Sequence, residues 1–214
     1  MRLPDLREAV LRTALQVQQS GLVRGTSGNV SARDRETGLV AITPSALPFD
    51  DLAPEDIVLV DVDRSVVEGR REPSSEVPLH TAVYGARADI AAIVHTHSPF
   101  ATAFAVMNRD IPEITVPLAL NGRVRCLPFR LPGSDELALV IKEGVQRGGT
   151  CFLLQNHGVL CCGPDLKKAL DAAVYVEEGA QVACYVLAAG GELPPIPEDL
   201  ARQMREAAKK GKAL

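Results

Sequence analysis

Residues 73–99 read PSSEVPLHTAVYGARADIAAIVHTHSP, and the parsing of this stretch decides the architecture. Pro73-Ser74-Ser75-Glu76 is a turn, and Ser74 or Ser75 can cap a helix that runs to about Arg87. Pro78 fits such a helix only in its first turn, where a missing N–H costs no internal bond. The segment then turns into an apolar strand that ends in His95-Thr96-His97. Alternate side chains of a strand share a face, so His95 and His97 point one way and Thr96 the other. Two imidazoles placed like this can reach a single cation.

Working outward, a third histidine stands in Asn156-His157-Gly158, after a second apolar strand at Cys151–Leu154. With Glu76 at the helix start, three histidines and a glutamate lacking any thiolate at equivalent spacing form the donor set of a catalytic zinc-like site. The competing reading is plain. A histidine beside an apolar strand often serves as a satisfied core residue, and a glutamate at a helix start is favoured by the dipole alone. The chain holds only four histidines, however, and three of them fall at strand ends or turns, where sites are built. That concentration decides for a metal. The fourth, His80, lies one helical turn after Glu76 and is read as a packing or supporting residue.

Length and charge set further bounds. A chain of 214 residues is expected to form one domain, 1–214, with residues 193–214 as a tail and final helix. A formal net charge of −4 leaves no basic footprint for nucleic acid and no polybasic membrane patch. No apolar run approaches the ~20 residues of a membrane span, and MRLPDLREAV has no apolar signal core, so a cytoplasmic protein is expected. Cys126, Cys151, Cys161, Cys162 and Cys184 are scattered in apolar patterns, as reduced cysteines acting as small hydrophobes.

The remaining elements read as a mixture of helices and strands. Helical spacing of apolar residues covers 5–20. Arg24 to Ser31, RGTSGNVS, is either an ordinary turn or a nest of backbone N–H groups that binds an anion. Leu39–Thr43 reads as a strand leading into the polar turn Thr43–Ala46, and Ile57–Asp61 with Ser65–Glu68 as a hairpin. Ser98-Pro99 opens a helix to about Met107, and Ile114–Ala119 and Arg125–Phe129 read as strands. A helix from Gly133-Ser134 ends near Gly148, and strands Cys151–Leu154 and Val159–Cys162 flank the Asn-His-Gly turn. A long helix from Asp165 to Ala189 carries Glu177 and Glu178, taken as a solvated or interface face. The last helix ends in Lys209, Lys210 and Lys212, a solvated tail or one that folds over a site.

Taken together, GTSGNVS, ITPSA, PSSE, HTH and NHG resemble the class II aldolase/adducin family in order and approximate spacing, most closely its L-fuculose-1-phosphate aldolase branch. The resemblance covers nearly the whole chain. It implies a layered α-β-α fold with a central, mostly antiparallel sheet, assembled as a homotetramer with active sites between subunits. It further implies that His95, His97 and His157 bind Zn2+, or another divalent ion such as Co2+ or Mn2+, with Glu76 as a displaceable fourth ligand. Gly28, Asn29, Ser45, Ala46, Ser74 and Ser75 would hold the phosphate of a sugar phosphate. The implied reaction cleaves a ketose 1-phosphate, such as L-fuculose 1-phosphate, to dihydroxyacetone phosphate and an aldehyde. The cation would stabilise the enediolate, and Glu76 would be the catalytic proton-transferring group.

Glutamate at position 76 fits the aldolases, since the family's 4-epimerases resemble this pattern but carry aspartate. Two positions depart from the aldolase branch. Val116 aligns with a tyrosine that reaches into the neighbouring subunit's site, and Pro132 replaces an aromatic residue near the aldehyde end of the substrate. Ala46 stands for a phosphate-loop glycine, which is tolerable where only the N–H is used. These departures keep other lyases of the family open, a decarboxylase of a phosphorylated 3-keto sugar acid or a methylthioribulose-phosphate aldolase or dehydratase. From a different class comes an adducin-like assembly module without chemistry, against which the retained histidines and Glu76 argue.

Overall fold

The computed structural model describes residues 1–210; Lys212, part of the C-terminal lysine run, lies outside them. Helix α1 (Pro4–Gln19) leads into strands β1 (Asn29–Arg33), β2 (Val40–Ile42), β3 (Val58–Val60) and β4 (Val66–Glu68). Helix α2 (Val77–Ala86), strand β5 (Ala92–Thr96) and helices α3 (Pro99–Val106) and α4 (Val116–Asn121) follow. The rest is β6 (Arg125–Leu127), α5 (Asp135–Gln146), β7 (Cys151–Leu154), β8 (Gly158–Gly163), α6 (Leu166–Ala188) and α7 (Glu198–Lys209).

The eight strands form one sheet in the order β4-β3-β2-β1-β5-β8-β7-β6, antiparallel except for the β6–β7 pair. Strand alternation sorts its side chains into two apolar layers. Val30, Ala32, Ala92, Val94, Val159 and Cys161 join one cluster with residues of α1, α3 and α6. Ile93, Leu160 and Cys162 join another, with Val77, Leu79 and Val83 of α2 and Leu137, Ile141 and Val145 of α5. Helices therefore cover both faces, as the layered α/β reading requires. Each fully buried Val, Leu or Ile contributes roughly 1.5–3 kcal/mol, so these two layers hold the sheet that carries the histidines.

The same alternation sets the polar residues. Asn29 pairs with His95 across β1 and β5, and Ser31 pairs with Ile93, which packs under α2. Asn29, Ser31 and His95 consequently share the face toward α2, beside the start of that helix. All three are buried.

The structure corrects the expected outline in several places. Neither Ser74 nor Ser75 caps α2. Glu76 is itself the N-cap residue, and the Ser74 hydroxyl accepts the Glu76 N–H at 3.2 Å. The expected strand at Ile114–Ala119 is instead largely the short helix α4. Thr115 caps it by accepting the Leu118 N–H, and Pro117 lies in its first turn, where it has no ladder bond to give. The strand expected at Arg125–Phe129 is confined to Arg125–Leu127. Glu177 is not simply a solvated side chain: its carboxylate crosses from α6 to accept the N–H groups of Phe100 and Ala101 at 3.0 and 2.9 Å. It thus closes the first turn of α3, directly after the His-x-His segment. All five cysteines are free, with Cys151, Cys161 and Cys162 buried.

Candidate metal centre and its adjoining cleft

The end of β5, the β7–β8 turn and the start of α2 meet at one point. The ligand nitrogens of His95, His97 and His157 all lie within 4.8 Å of one another. Glu76 closes the ring, with Oε2 at 3.1 Å from His95 Nε2 and Oε1 at 3.4 Å from His157 Nε2. His157 reaches the ring from a tight turn in which Asn156 adopts a left-handed φ of 54°. Gly158, next in sequence, allows the two strands to close together. A Cβ there would meet Thr96 O at 2.3 Å and His97 Cδ2 at 2.9 Å.

The proton positions follow from the neighbours. His95 Nδ1 lies 2.8 Å from the carbonyl oxygen of Val159, which can only accept, so Nδ1 carries the hydrogen. Burial pushes the His95 pKa down to about 3, with His97 adding to the effect. His95 is therefore neutral at ordinary pH, and its Nε2 offers a lone pair. That lone pair faces Glu76 Oε2 at 3.1 Å and His97 Nε2 at 3.1 Å. Burial also lowers the pKa of His97, and it lowers that of His157 to about 4 with help from His95. Glu76 Oε1 is buried without a hydrogen-bond partner among the described residues. Three imidazoles and a carboxylate converge here, and Glu76 Oε1 and His157 Nδ1 are left unpaired in a buried place, which is an environment that favours a cation. The donor set fits a divalent metal.

Behind Glu76 the polar contacts continue into the protein. Asn29 Nδ2 donates to Glu76 Oε2 at 2.9 Å, and His80 Nε2 lies 2.5 Å from Asn29 Oδ1. Ser31 Oγ lies 2.6 Å from His80 Nδ1 and 2.7 Å from the Tyr84 hydroxyl. His80, expected as packing or support, is thus a link in a hydrogen-bonded line. Burial pushes its pKa down to about 3.

Beside the ring lies a cleft of about 290 Å³, lined by residues 26–29, 44–46 and 74–76 together with His97, His157 and Pro132. A larger groove, of about 550 Å³ between β6 and α5, contains none of the histidines. The polar groups of the smaller cleft divide into two sets. Ser45 is structural: its hydroxyl donates to Pro73 O and accepts the Ser75 N–H, both at 3.0 Å, which ties the two loops together. The N–H groups of Gly28 and Ala46 make no internal hydrogen bond among the described residues. Gly28 has φ of 78°, and a Cβ on it would meet Val23 Cγ1 at 2.6 Å and His95 O at 2.7 Å, so only glycine fits. Ala46 takes φ of 58°, the strained position where the family resemblance implied a glycine. With the hydroxyls of Ser74 and Ser75, these N–H groups offer a neutral cradle to an anion.

The candidate metal ligands and the candidate phosphate-binding residues therefore meet at this one place, whereas Val116 does not. What the sequence did not disclose is the employment of Asn29, Ser31 and Tyr84 in a line with His80 behind the carboxylate. Val116, at the first turn of α4, is 49% exposed in the single chain.

Comparison with known proteins bears on this centre. The family model described as Class II Aldolase and Adducin N-terminal domain matches residues 8–184. The 5-deoxy-D-ribulose 1-phosphate aldolase of Bacillus thuringiensis serovar kurstaki is 39% identical over 212 residues, covering 98% of this chain and 97% of that protein. The L-fuculose phosphate aldolase of Escherichia coli (strain K12) is 36% identical over 200 residues, covering 91% of this chain and 89% of that protein. Among solved structures, an L-fuculose 1-phosphate aldolase superposes with a TM-score of 0.91 at 34% identity, covering 96% of both chains.

Proposed function

The chain belongs to the class II aldolase and adducin family, and from that premise we propose that it is a metal-dependent aldolase, splitting a ketose 1-phosphate between C3 and C4 into dihydroxyacetone phosphate and a short aldehyde. The observation that carries this reading is the convergence of His95, His97, His157 and Glu76 on one point, opening on a cradle of N–H and hydroxyl donors.

His95, His97 and His157 would hold the metal, zinc by donor type, with Glu76 as the fourth ligand. Bound there, a divalent ion supplies Lewis-acid stabilisation of the negative charge that develops on the substrate's oxygens. The protein does the rest. The free N–H groups of Gly28 and Ala46 and the hydroxyls of Ser74 and Ser75 anchor the phosphate, which fixes the sugar chain relative to the ring. Asn29 lines the same cleft, and the second proton of its Nδ2 is available to the substrate. Glu76 moves the proton at C3 through Oε1, the oxygen without a partner, taking it in condensation and returning it in cleavage. Neutral imidazoles leave the cation's charge undiluted for the substrate. In a homotetramer, Val116 would enter the neighbouring subunit's site at the aldehyde end.

The relatives are named for 5-deoxyribulose 1-phosphate, 5-methylthioribulose 1-phosphate and L-fuculose phosphate, and two residues favour the 5-deoxy and 5-methylthio pentuloses over the fuculose. Val116 and Pro132 are both apolar, and both are assigned to the aldehyde half by the family pattern. The aldehyde half of 5-deoxyribulose 1-phosphate is only a methyl-bearing carbonyl, whereas that of L-fuculose 1-phosphate also carries a hydroxyl. A 5-deoxypentulose 1-phosphate is accordingly the first substrate to try. Zinc-replete protein should release dihydroxyacetone phosphate from it at a higher kcat/KM than from L-fuculose 1-phosphate. Glu76→Gln should lower kcat by about 10³-fold or more while retaining metal on three imidazoles at reduced affinity, and His97→Ala should lose both. An active Glu76→Gln enzyme, or turnover that survives complete metal removal, would overturn the proposal.

A further inference from the structure

Tyr84, Ser31, His80 and Asn29 form a buried line that ends on Glu76, and the reaction as described leaves most of it without a role. Only one ordering of protons satisfies every member. The Asn29 amide presents Nδ2 to Glu76, because turning it would set Oδ1 against a carboxylate oxygen. Oδ1 then faces His80, so His80 Nε2 must donate and the neutral ring accepts at Nδ1. Ser31 supplies that hydrogen, and its oxygen is left to accept from Tyr84. Every donor in the line points toward Glu76.

We infer that this line positions the base: Asn29, locked by His80, fixes the Glu76 carboxylate so that Oε2 is anchored beside His95 and Oε1 is left free for the substrate. Both oxygens face the histidines, Oε2 at 3.1 Å from His95 and Oε1 at 3.4 Å from His157, but only Oε2 is held, by Asn29 at 2.9 Å, and Oε1 has no hydrogen-bond partner. Asn29 is well placed for this work because β1 and β5 pair it directly with His95, so one backbone register sets the base-holding amide and a metal-binding ring together. His80 rises from α2 one turn after Glu76, so the same helix delivers the carboxylate and the group that aims its anchor. Removing the His80 donor would leave Asn29 Oδ1 unpaired in a dry site and free the amide to turn. Asn29 and His80 are thus positioning residues. The role rests on the aldolase reading only where Glu76 moves a proton, because its hold on the metal ligand is independent of the reaction.

The test uses substitutions at His80, read in two ways. Metal-stripped protein is titrated with Zn2+ against a chromophoric chelator, and kcat and KM are measured on zinc-replete enzyme with 5-deoxyribulose 1-phosphate. His80→Leu should weaken Zn2+ binding about tenfold and lower kcat roughly 10- to 100-fold, with KM held within about threefold. His80→Gln, whose amide nitrogen can still donate to Asn29, should recover most of both. In a Glu76→Ala background, His80→Leu should weaken Zn2+ binding no further, because the two changes remove the same contact. Equal losses in the Leu and Gln variants, or an undiminished effect in the Glu76→Ala background, would overturn the inference. If His80→Leu does not fold, Ser31→Ala replaces it; that variant must lower Zn2+ affinity and kcat together, and an unchanged pair of values counts against the line. A wild-type protein that cleaves no ketose phosphate yet follows the Zn2+ pattern removes the aldolase proposal and leaves the positioning role standing. Normal cleavage with unmoved Zn2+ affinity and kcat in His80→Leu removes the positioning role alone.

Discussion

Gly158→Ala tests whether the ring is held by strand contact as described. The added methyl carbon would lie 2.3 Å from Thr96 O, 2.9 Å from His97 Cδ2 and 3.3 Å from His95 Cε1. A carbon–oxygen contact settles at about 3.3 Å or more, so the first contact must open by roughly 1 Å. Thr96 O is backbone, and it belongs to the β5–β8 pairing that brings Thr96 opposite Val159. Rotating a side chain cannot relieve it. Strain of this kind costs about 1–3 kcal/mol, which for a chain of this length lowers Tm by roughly 2–12 °C. The same methyl presses on two imidazoles of the proposed metal site, and Zn2+ affinity should fall about 10- to 100-fold, the range seen when ligand supports are disturbed. Thermal unfolding of the metal-free protein and chelator competition read the two effects separately. A variant with wild-type Tm and wild-type Zn2+ affinity would refute the reasoning, because it would mean β5 and β8 are not pressed together at the site.

Acid should destabilise the metal-free protein through its buried histidines. Burial depresses their folded-state pKa values below the unfolded value near 6.5, to about 3 for His80 and His95 and about 4 for His157. Below pH 6.5 the unfolded chain therefore binds more protons, and stability is lost as pH falls toward the folded values. Each such histidine contributes a slope approaching ~1.4 kcal/mol per pH unit. Denaturant melts from pH 6.5 to 4 should show a steep fall, shallower by about one proton in His80→Gln; identical slopes would count against a neutral buried His80. For Glu177, replacement by Ala removes the acceptor for two N–H groups of α3 and should cost about 1–2 kcal/mol, or a Tm drop of roughly 2–8 °C. Glu177→Gln should lose less, and an unchanged Tm in Glu177→Ala would show that water serves the helix end equally well.

Much of the fold was legible because its elements carry strong local signals. The period of α1, the apolar runs at β5, β7 and β8, and the start of α5 after Gly133-Ser134 all survive translation into three dimensions. The failures are equally local in origin. Residues 114–119 hold β-branched and apolar residues that suit a strand, but Pro117 cannot donate to a sheet ladder and Thr115 supplies a helix cap, so α4 forms instead. Ser74 and Ser75 looked like caps because hydroxyls next to a helix usually are. In the structure the Ser74 hydroxyl and the Ser75 N–H serve the loops instead, where Ser45 bridges the 45 and 73–75 segments.

The convergence of the three histidines was readable for a different reason than the line behind it. His95 and His97 share a strand face by spacing alone, and histidine is rare enough in this chain to make the third stand out. The support of Glu76 has no such spacing. Asn29 and Ser31 come from β1, His80 and Tyr84 from α2, and what joins them is the register of β1 on β5 and the seat of α2 across both. Ser31 and Tyr84 each look like an ordinary polar residue in a strand or helix. Their importance appears only when every buried donor and acceptor must be matched, because a dry interior leaves no water to absorb a wrong choice. Sequence spacing can thus find residues that converge on a common point. Residues that act on one another through a chain of protons are found by accounting for each proton in turn, and that accounting requires the pairing of the strands.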